Sequence, residues 1–208
     1  MPHQSNTTAV VGGRREANTR ATRDAMIAAG RAAFSEHGFA AASLEQIVED
    51  AGVTTGALYH HFGNKKALFQ AVAESIEQEI MTRISAELTD TMSGWQQLET
   101  GIHLTFELCT QAGVHRILFS DAPNVIGMRE WRNIEMRYGF GLMYQVLEKL
   151  RAAGEIKGDS VDLTASILLG GLMEAVHVAV AAEDREQVID DAKQTLLGFI
   201  KALRRDPA

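Results

Sequence analysis

The sequence predicts an all-helical protein in which a long connecting helix joins a small N-terminal domain of three helices to a larger helical domain. Three observations support this fold class. The 208 residues include only three prolines, so few positions exclude a helix. Apolar residues recur at helical spacing, and long stretches lack the alternation typical of strands. Polar capping residues and glycines divide this pattern into separate helices.

The chain is expected to begin with a disordered arm, residues 1–18, because this segment is polar and shows no periodicity. The first helix should cover residues 22–37 and end at Gly38, since glycine readily adopts the left-handed conformation that stops a helix. We predict that residues 19–68 form the N-terminal domain and residues 69–208 the larger domain.

Two short helices separated by a tight turn follow the first helix. Ser43 can cap the first of them, with Gln46 completing a capping box, and Gly52 can end it. Thr54 or Thr55 can then cap a second helix of about two turns. Two helices across a short glycine turn form the helix-turn-helix arrangement, whose second helix can lie in the major groove of DNA. The sequence therefore indicates a DNA-contacting element here.

The surface chemistry of the second helix favours contact with DNA. Hydroxyl, phenol and imidazole groups can bind phosphates or base edges, and glycine lets the backbone approach the duplex closely. Asn64 can cap the next helix, which starts with Lys65 and Lys66 although cations at a helix N-terminus oppose its dipole. This unfavourable placement indicates attraction to phosphate, and a solvated pair of lysines is the alternative. The candidate groups on the second helix are Thr54, Thr55, Gly56, Tyr59, His60 and His61.

Five segments follow one another at a spacing that resembles the N-terminal domain of the TetR family of transcriptional regulators. The resemblance covers about a quarter of the chain, roughly residues 22–72. Its most specific part is the glycine turn followed by Leu58-Tyr59-x-His61-Phe62 and then Lys65. The matching segments are Thr22-Arg23, AGRAAFSEHGF from Ala29, Ser43 to Ile47, AGVTTGALYHHF from Ala51, and NKKALF from Asn64.

The resemblance implies roles for individual residues. Gly63 departs from the family, which often has a polar or basic residue there, so one phosphate contact would be missing. Gly30-Arg31 also departs from the usual apolar pair of the first helix. By resemblance, Ser43, Tyr59 and Lys65 would contact phosphate, and Thr54, Thr55 and Gly56 would contact bases, while His60 joins them as a DNA-binding candidate on the same helix.

The net charge of −7 is unevenly distributed along the chain. Residues 1–70 hold seven Lys and Arg against six Asp and Glu, whereas residues 71–208 hold thirteen against twenty-one. A nearly neutral N-terminal part with clustered cations, attached to an acidic remainder, fits DNA contact by the first domain alone.

The helix that opens at Asn64 should continue to about Thr89 and connect the two domains. Five further helices are predicted after it, with breaks at glycines and at Asp121–Asn124. Asp159 or Ser160 can cap the fourth of these helices. The predicted ranges are 94–111, 113–120, 127–153, 160–182 and 185–204.

The last two predicted helices are candidates for a dimer contact. Residues 161–182 are apolar on nearly every face, so this helix must be buried all round, and the final helix adds a broad apolar stripe. The resemblance implies a homodimer through residues 160–182 and 185–204, whereas the alternative buries both helices within one subunit. Two recognition helices about 34–36 Å apart would match a palindromic operator in double-stranded DNA.

Three helices of the larger domain carry bulky and polar-tipped residues in apolar settings. A cavity lined in this way suits a small, mostly apolar ligand. The resemblance implies an effector that lowers DNA affinity, although no motif identifies the effector or its contacts. For each aromatic or methionine residue, core packing is the alternative. The candidate effector-binding residues are His103, Phe106, Trp131, Tyr138, Met143, Met173, Glu174 and His177.

The sequence indicates no metal, cofactor or catalytic site. His60 and His61 are adjacent and point in different directions on a helix, and Cys109 has no Cys-x-x-Cys partner. Phosphate loops, HExxH and nucleophile-elbow motifs are absent from the sequence. We expect Cys109 to be buried in an apolar helix, with a redox-sensor role as the alternative.

These patterns together predict a ligand-responsive transcriptional regulator, a repressor that leaves its operator when an effector binds. An activator or a constitutive DNA-binding protein without effector is the alternative, and a helical enzyme or ligand carrier is a further one. No apolar run reaches the ~18 residues of a membrane span, and the N-terminus lacks the apolar core of a signal peptide. We therefore expect a cytoplasmic protein without membrane contact.

Overall fold

The computed structural model describes residues 7–158 and 160–205. It divides into two compact units, Met1–Val72 and Ala73–Ala208. Over the described residues both units are built from helices, and the only extended pairing there is an isolated antiparallel bridge between Ile156 and Arg204. The all-helical fold class predicted from the sequence is therefore confirmed.

The first unit contains three helices and the start of a fourth, packed around an aromatic cluster. Phe34 and Phe69 are fully buried and meet edge to face, with ring centroids 5.1 Å apart. Phe39 joins them, 5.2 Å from Phe69. Such tilted aromatic pairs add stability beyond their buried area. The helices are α1 (Thr7–Ala41), α2 (Leu44–Asp50), α3 (Thr55–Phe62) and α4 (Lys65–Glu87).

The start of α1 differs from the expected disordered arm of residues 1–18. The helix already begins at Thr7, and residues 1–6 lie outside the described residues. From Arg14 to Asp24 the sequence holds four Arg and two Ala and contains no proline, so its helix propensity continues that of the following segment. The predicted break at Gly38 is confirmed, because this residue has φ 74° inside the helical stretch.

Gly30 lies where α1 and α4 approach each other closely. A Cβ atom at this position would lie 3.2 Å from a methyl group of Val72 and 3.5 Å from Leu68. These distances leave little room for a side chain. The glycine at position 30, which departs from the family pattern, therefore fits the close packing of α1 against the start of α4.

Over its described residues, the second unit continues α4 and adds six α-helices and three π-helical turns. Helices predicted at 94–111, 160–182 and 185–204 are present with slightly shorter bounds. The helix predicted at 127–153 is a continuous stretch with a π-helical turn in its middle. The elements are α5 (Gly94–Cys109), α6 (Ala112–His115), π1 (Arg116–Asp121), π2 (Pro123–Gly127), α7 (Met128–Glu135), π3 (Met136–Phe140), α8 (Gly141–Ala152), α9 (Val161–Ala181) and α10 (Arg185–Ala202).

The break predicted at Asp121–Asn124 is wrong, because the backbone remains helical through this segment. Pro123 is the first residue of π2, and its fixed φ is compatible with the helical backbone that continues from Ala122. The chain changes direction instead at Gly127, which has φ 105°. Only glycine adopts such a φ without strain.

The two segments that follow α8 and α10 are tied to each other and to α5. The Lys157 amide donates to the Leu203 carbonyl at 2.8 Å, and the Arg205 amide donates to the Glu155 carbonyl at 2.8 Å. The indole of Trp95 donates to the Glu155 carboxylate, also at 2.8 Å. These bonds fix the segment after α10, as far as Arg205, against the rest of the second unit and satisfy backbone groups outside the helices.

Helix α9 corrects the expectation that no apolar run is long enough for a membrane span. By length and composition alone, Val161–Ala181 could cross a membrane, although the core helix of a soluble protein passes the same test. Only 33% of its most apolar window is buried within the single chain. Ser160 caps this helix by accepting from the Leu163 amide at 3.2 Å, whereas the alternative cap, Asp159, lies outside the described residues.

We predict that Ser93→Ala lowers the free energy of unfolding by about 1 kcal/mol. Ser93 and Gln96 form a complete capping box at the start of α5: the Gln96 amide donates to Ser93 Oγ at 3.2 Å, and the Ser93 amide donates to Gln96 Oε1 at 2.8 Å. Urea denaturation measures the change. Ser85→Ala, at an exposed position inside α4, is the control and should not destabilise the protein. Equal stability of both variants would contradict the assigned cap.

Candidate functional site

Ser43 begins the helix-turn-helix element as the N-cap of α2. The Gln46 amide donates to Ser43 Oγ at 3.4 Å, while the Ser43 hydroxyl donates to the Glu45 carboxylate at 2.7 Å. This hydroxyl bond lowers the pKa of Glu45. The predicted capping box is wrong in its second half, because Gln46 Nε2 donates to Asp50 at 2.9 Å. The charged Asp50 carboxylate, one turn further along α2, holds the Gln46 side chain more strongly than the uncharged backbone amide of Ser43 would.

The turn between α2 and α3 depends on Gly52, whose φ is 64°. Its amide donates to the Glu49 carbonyl at 3.0 Å, and the Val53 amide donates to the Val48 carbonyl at 3.1 Å. Thr54 then caps α3, because its hydroxyl oxygen accepts from the Ala57 amide at 3.2 Å. This resolves the choice between Thr54 and Thr55 and leaves Thr55 exposed at the first position of α3.

Helix α3 has a buried face and an exposed polar face. Leu58 is fully buried, whereas the side chain of Tyr59 is 52% exposed and that of His60 is exposed as well. A Cβ atom at Gly56 would meet only the Thr54 hydroxyl, at 3.8 Å, so the surface there is open. The residues predicted on α3 as DNA contacts, together with its cap, therefore form one exposed surface. We call this surface, made of Thr54, Thr55, Gly56, Tyr59 and His60, the α3 surface.

Lys65 has contacts within the first unit that the sequence did not reveal. Its ammonium group lies 4.9 Å from the centroid of the Phe39 ring and donates to the Ala40 carbonyl at 3.3 Å. The side chain is half-buried. These contacts to the end of α1 offset part of the unfavourable interaction between the Lys65 charge and the N-terminal dipole of α4. Asn64 caps α4, because its side-chain oxygen accepts from the Ala67 amide at 2.8 Å.

The second unit contains a narrow, mostly apolar cavity with a free volume of about 70 Å³, which we call the inner cavity. Helices α4, α5, α7, α8 and α9 and the turn π3 provide its walls. Two carboxyl groups, Glu77 of α4 and Glu135 of α7, are part of a mostly apolar lining that also includes Gln97 and Thr105. Its apolar residues include Ile80, Met81, Ile84, Leu98, Ile102, Leu142, Met143, Val146, Leu169, Leu172 and Met173.

A second and wider cavity of about 420 Å³, the outer cavity, lies between π1, π2, α7 and α9. It shares Glu135, Leu169 and Met173 with the inner cavity, so the two spaces adjoin. Its wall is more polar, because Arg132, Glu174 and His177 contribute to it together with Phe119 and Trp131.

The structure brings together five of the eight predicted effector-binding residues. Met143 and Met173 line the inner cavity, and Met173 also lines the outer one. Trp131, Glu174 and His177 line the outer cavity.

Three predicted effector-binding residues lie elsewhere. His103 is exposed, because its neighbour Ile102 occupies the buried face of α5. Phe106 is fully buried in the core, with the Lys193 ammonium 5.9 Å from its ring. Tyr138 is half-buried in π3 and lines neither cavity.

Sequence reasoning did not single out Glu77 and Glu135, the two carboxyl groups of the inner cavity. A signal was available for Glu77, since Ala73, Ile80 and Ile84 surround it at helical spacing on the buried side of α4. A lone glutamate in such an apolar stripe is uncommon unless it has a partner or a function. Glu135 gave no comparable signal, because charged and polar residues surround it in the sequence of α7, as at Arg132 and Asn133.

Burial dominates the electrostatics of the inner cavity. It raises the pKa of Glu77 to about 8, with a smaller contribution from the charge of Glu135. The pKa of Glu135 is raised too, by its own burial, although Arg132 and a hydrogen bond from the Trp131 side chain oppose this. No hydrogen bond to the Glu77 carboxyl is found among the residues that the structure describes. Glu77 is therefore held protonated at neutral pH.

Cys109 lines the inner cavity as a buried free thiol. Burial raises its pKa, and the carboxyls of Glu77 and Glu135 act in the same direction. A thiol held in this protonated form is a poor nucleophile, which favours the packing role over the redox role.

His115 lies beside the outer cavity and stacks on Phe119, with ring centroids 5.3 Å apart and an interplanar angle of 3°. His177 is 6.0 Å away. Burial lowers the pKa of His115, and His177 and Arg185 lower it further. Among the described residues, no cluster of three or more His, Cys, Asp or Glu side chains could hold a metal ion.

An exposed recognition-type helix in one helical unit, followed along the chain by a helical unit with internal cavities, is typical of a DNA-binding regulator. The comparison with protein families agrees. Residues 26–72 match the profile of the bacterial regulatory proteins of the tetR family, and residues 95–203 match the tetracyclin repressor-like C-terminal domain.

Individual relatives match over most of their length. The Transposon Tn10 TetC protein of Escherichia coli is 28% identical over 190 residues, covering 90% of this chain and 94% of that protein. The HTH-type transcriptional repressor BepR of Brucella suis is 30% identical over 183 residues, covering 79% of this chain and 85% of BepR.

Solved structures show the same fold. The crystal structure of a TetR-family transcriptional regulator from Pectobacterium atrosepticum has a TM-score of 0.79 and 29% identity, covering 92% of this chain and 98% of that one. RolR, crystallised with resorcinol, has a TM-score of 0.69 and 19% identity, covering 88% and 89% of the two chains. The chain therefore belongs to the TetR family, and it is a transcriptional regulator rather than an enzyme.

We predict that Glu77→Gln stabilises the protein increasingly as pH rises from 5 to 8. The pKa of Glu77 rises from 4.5 to about 8 on folding, so within this range the folded state keeps a proton that the unfolded state has lost. The wild-type free energy of unfolding should fall through this window, and glutamine removes that loss. We expect a gain on the order of 2–4 kcal/mol at pH 8 and little change at pH 5.

Urea denaturation at both pH values measures this difference. Glu87→Gln removes an exposed carboxylate from the same helix and is the matched control. A gain for Glu77→Gln that is equal at pH 5 and pH 8 would show that the carboxyl is not held protonated by the fold.

Proposed function

We propose that the protein is a homodimeric, ligand-responsive repressor, which binds a palindromic operator through the first unit and releases it when a small molecule occupies the second. Residues 19–68 would then form the DNA-binding domain and residues 69–208 the effector-binding and dimerisation domain. The observation that carries the proposal is the α3 surface, an exposed set of polar groups on a helix anchored by the buried Leu58.

The α3 surface has the chemistry of a recognition helix. Thr55 and Gly56 lie in its first turn, where side chains of a recognition helix meet base edges. The Tyr59 hydroxyl and the His60 imidazole are exposed one turn later and can donate to phosphate. Ser43 and Lys65 flank the helix, and both would contact phosphate after partly leaving the partners that they have in the free protein, Glu45 for Ser43 and Ala40 for Lys65.

A second copy of the chain is the proposed partner of α9 and α10. These helices form an apolar groove with a free volume of about 730 Å³. Ile167, Val178 and Phe199 line it with side chains that are 71%, 50% and 64% exposed. Gly171, also in the groove, allows close approach of another helix. Apolar exposure of this extent is typical of a surface that another chain covers.

The two cavities of the second unit support the effector-binding part of the proposal. Release requires that the effector bind more tightly to a conformation with low DNA affinity, because only a difference in affinity can shift the equilibrium. RolR was crystallised with resorcinol, which makes a small organic effector plausible for this chain as well. Helix α4 is continuous from the α3 turn to the inner cavity and provides a covalent path for the coupling.

The repressor assignment follows the name of BepR, and an activator or a constitutive DNA-binding protein is the alternative. A reporter gene placed behind the selected operator distinguishes a repressor from these alternatives. For a ligand-responsive repressor, a compound that raises the melting temperature of the protein must also relieve repression of the reporter. We propose a cytoplasmic location, where the DNA is, and we assign no membrane role to α9.

We predict that Lys65→Ala weakens DNA binding on all sequences and lowers the slope of log affinity against log salt by about 1, since one phosphate contact is lost. The probe is a duplex selected by the wild-type protein from a random library, and fluorescence anisotropy at several salt concentrations measures binding. Lys65→Arg should keep most of the affinity because it keeps the charge.

Lys149→Ala, which removes an exposed charge from the second unit, is the control and should leave the slope unchanged. The melting temperature of each variant separates loss of the DNA contact from loss of the Phe39 and Ala40 contacts. An unchanged affinity and slope for a folded Lys65→Ala protein would refute the docking.

We predict that Phe199→Glu converts the dimer to a monomer and abolishes operator binding, because a carboxylate would have to be buried at the interface. Sedimentation velocity measures the oligomeric state. Gln194→Glu places the same charge on an exposed part of α10 outside the groove and should remain dimeric. If Phe199→Glu stays dimeric, the interface lies elsewhere.

A further inference from the structure

Glu77 lacks the partners that a buried carboxyl group normally has. It is among the three buried polar or charged side chains found over the described residues; the other two are Gln97 and Thr105. Gln97 donates to the Thr89 carbonyl at 2.9 Å, and Thr105 donates to the Gly101 carbonyl at 2.8 Å. All three residues line the inner cavity, but among the described residues no such bond is found for Glu77. A buried carboxyl without a partner is costly unless something else in the cavity satisfies it.

The groups around Glu77 do not supply a positive charge to it. Glu135, from α7, adds a second negative charge. The nearby arginines, Arg132 and Arg137, are exposed and act on Glu135 and on Tyr138 respectively. The titratable and charged groups that face this region are Glu74 and Glu77 from α4, Cys109 from α5, Arg132 and Glu135 from α7, and Arg137 and Tyr138 from π3.

We propose that the inner cavity binds an organic cation with one positive charge and a compact apolar body, whose charge is satisfied by the carboxyl groups of Glu77 and Glu135. This proposal rests on the proposed function, because it names the chemical class of the effector. Two carboxyl groups line this cavity. Glu135 has a nearby cation, Arg132, and a hydrogen-bond donor, Trp131, whereas Glu77 has neither over the described part of the chain. The pair can therefore accept one further positive charge.

The rest of the cavity fits the apolar body of such a ligand. Apart from the two carboxyls, its wall is mainly aliphatic side chains and methionines. The free volume of about 70 Å³ holds only a few water-sized groups, so a ligand must displace side chains to enter. Met81, Met143 and Met173 line the cavity and can do this at low cost, because methionine is unbranched and flexible.

Cation binding in this cavity is coupled to proton release. In the free protein a proton neutralises Glu77 below about pH 8. A bound cation takes over that role, and the proton leaves Glu77 for solvent. Affinity for a permanent cation therefore rises with pH up to about 8 and then levels off, whereas a neutral ligand of the same shape has no such dependence.

Two probes of equal shape test the proposal directly. Phenyltrimethylammonium is a permanent cation, and tert-butylbenzene is its neutral isostere. Isothermal titration of the full-length protein from pH 6 to pH 9, in two buffers of different ionisation enthalpy, gives the affinity and the number of protons released. At pH 8.5 we expect the cation to bind at least about tenfold more tightly than the isostere, with up to one proton released per cation near pH 6.5.

Glu77→Gln should weaken cation binding at least about tenfold at pH 8.5 and remove its pH dependence, while tert-butylbenzene binding stays the same. Glu87→Gln on the same helix should change neither. Equal affinity for the two probes, no binding of the cation at any pH, or a pH dependence that survives in Glu77→Gln would each overturn the proposal. A preference for the neutral probe would also overturn the proposal, because the cavity would then favour an uncharged apolar body over a cation.

The DNA readout separates this inference from the proposed function. If the cation binds through Glu77 but does not change the affinity for the selected duplex, the cavity chemistry stands and the effector role fails. If neutral compounds release the duplex and cations do not bind preferentially, the effector role stands and the inference fails.

Discussion

The apolar stripe of α4 is the constraint on which both units depend. Its first turns bury Leu68, Phe69 and Val72 in the core of the first unit, and its later turns bury Ile76, Ile80 and Ile84 in the second. Each buried side chain of this size stabilises the fold by roughly 1.5–3 kcal/mol relative to exposure. Because one helix carries both sets, the stripe cannot be interrupted without loss to a core.

Glu77 is the exception within this apolar stripe, because burial of its carboxyl group lowers the stability of the fold. A glutamate at a core position is retained at a loss of stability that the apolar residues around it offset. Buried carboxyl groups with a raised pKa concentrate at functional sites for this reason. The same low polarity that disfavours the charged form in the empty cavity strengthens its attraction to a cation once water is excluded.

In the first unit, polar side chains lie on the outer side of α3. Leu58 is buried on one face of α3, so Thr55, Tyr59 and His60 can remain exposed on the other. Lys65 shows that this division is not complete, since its ammonium group is held by Phe39 and Ala40. A residue that matches a family's phosphate contact can therefore also stabilise the fold, and the two roles differ in their dependence on salt.

The sequence alone was sufficient for the class of fold, the order of most helices, the caps at Ser43 and Asn64, and the exposed polar helix α3, whereas the caps at Thr54 and Ser160 each had a neighbouring alternative. These features depend on residues close together in the chain, through hydrogen bonds within one turn and through helical periodicity. Local signals failed where two such rules competed, as at Asp121–Asn124, where proline at the first position of a helical turn resembles a break.

Only the tertiary structure decided which residues meet across the second unit. Glu77 and Glu135 are 58 positions apart in the numbering, and no local pattern relates them. Helix packing placed His103 in solvent and Phe106 in the core, although both had been candidates for the effector site. The sequence determined the exposed polar face of α3, because that depends on local chemistry, whereas the cavity depends on which faces five helices turn toward one another.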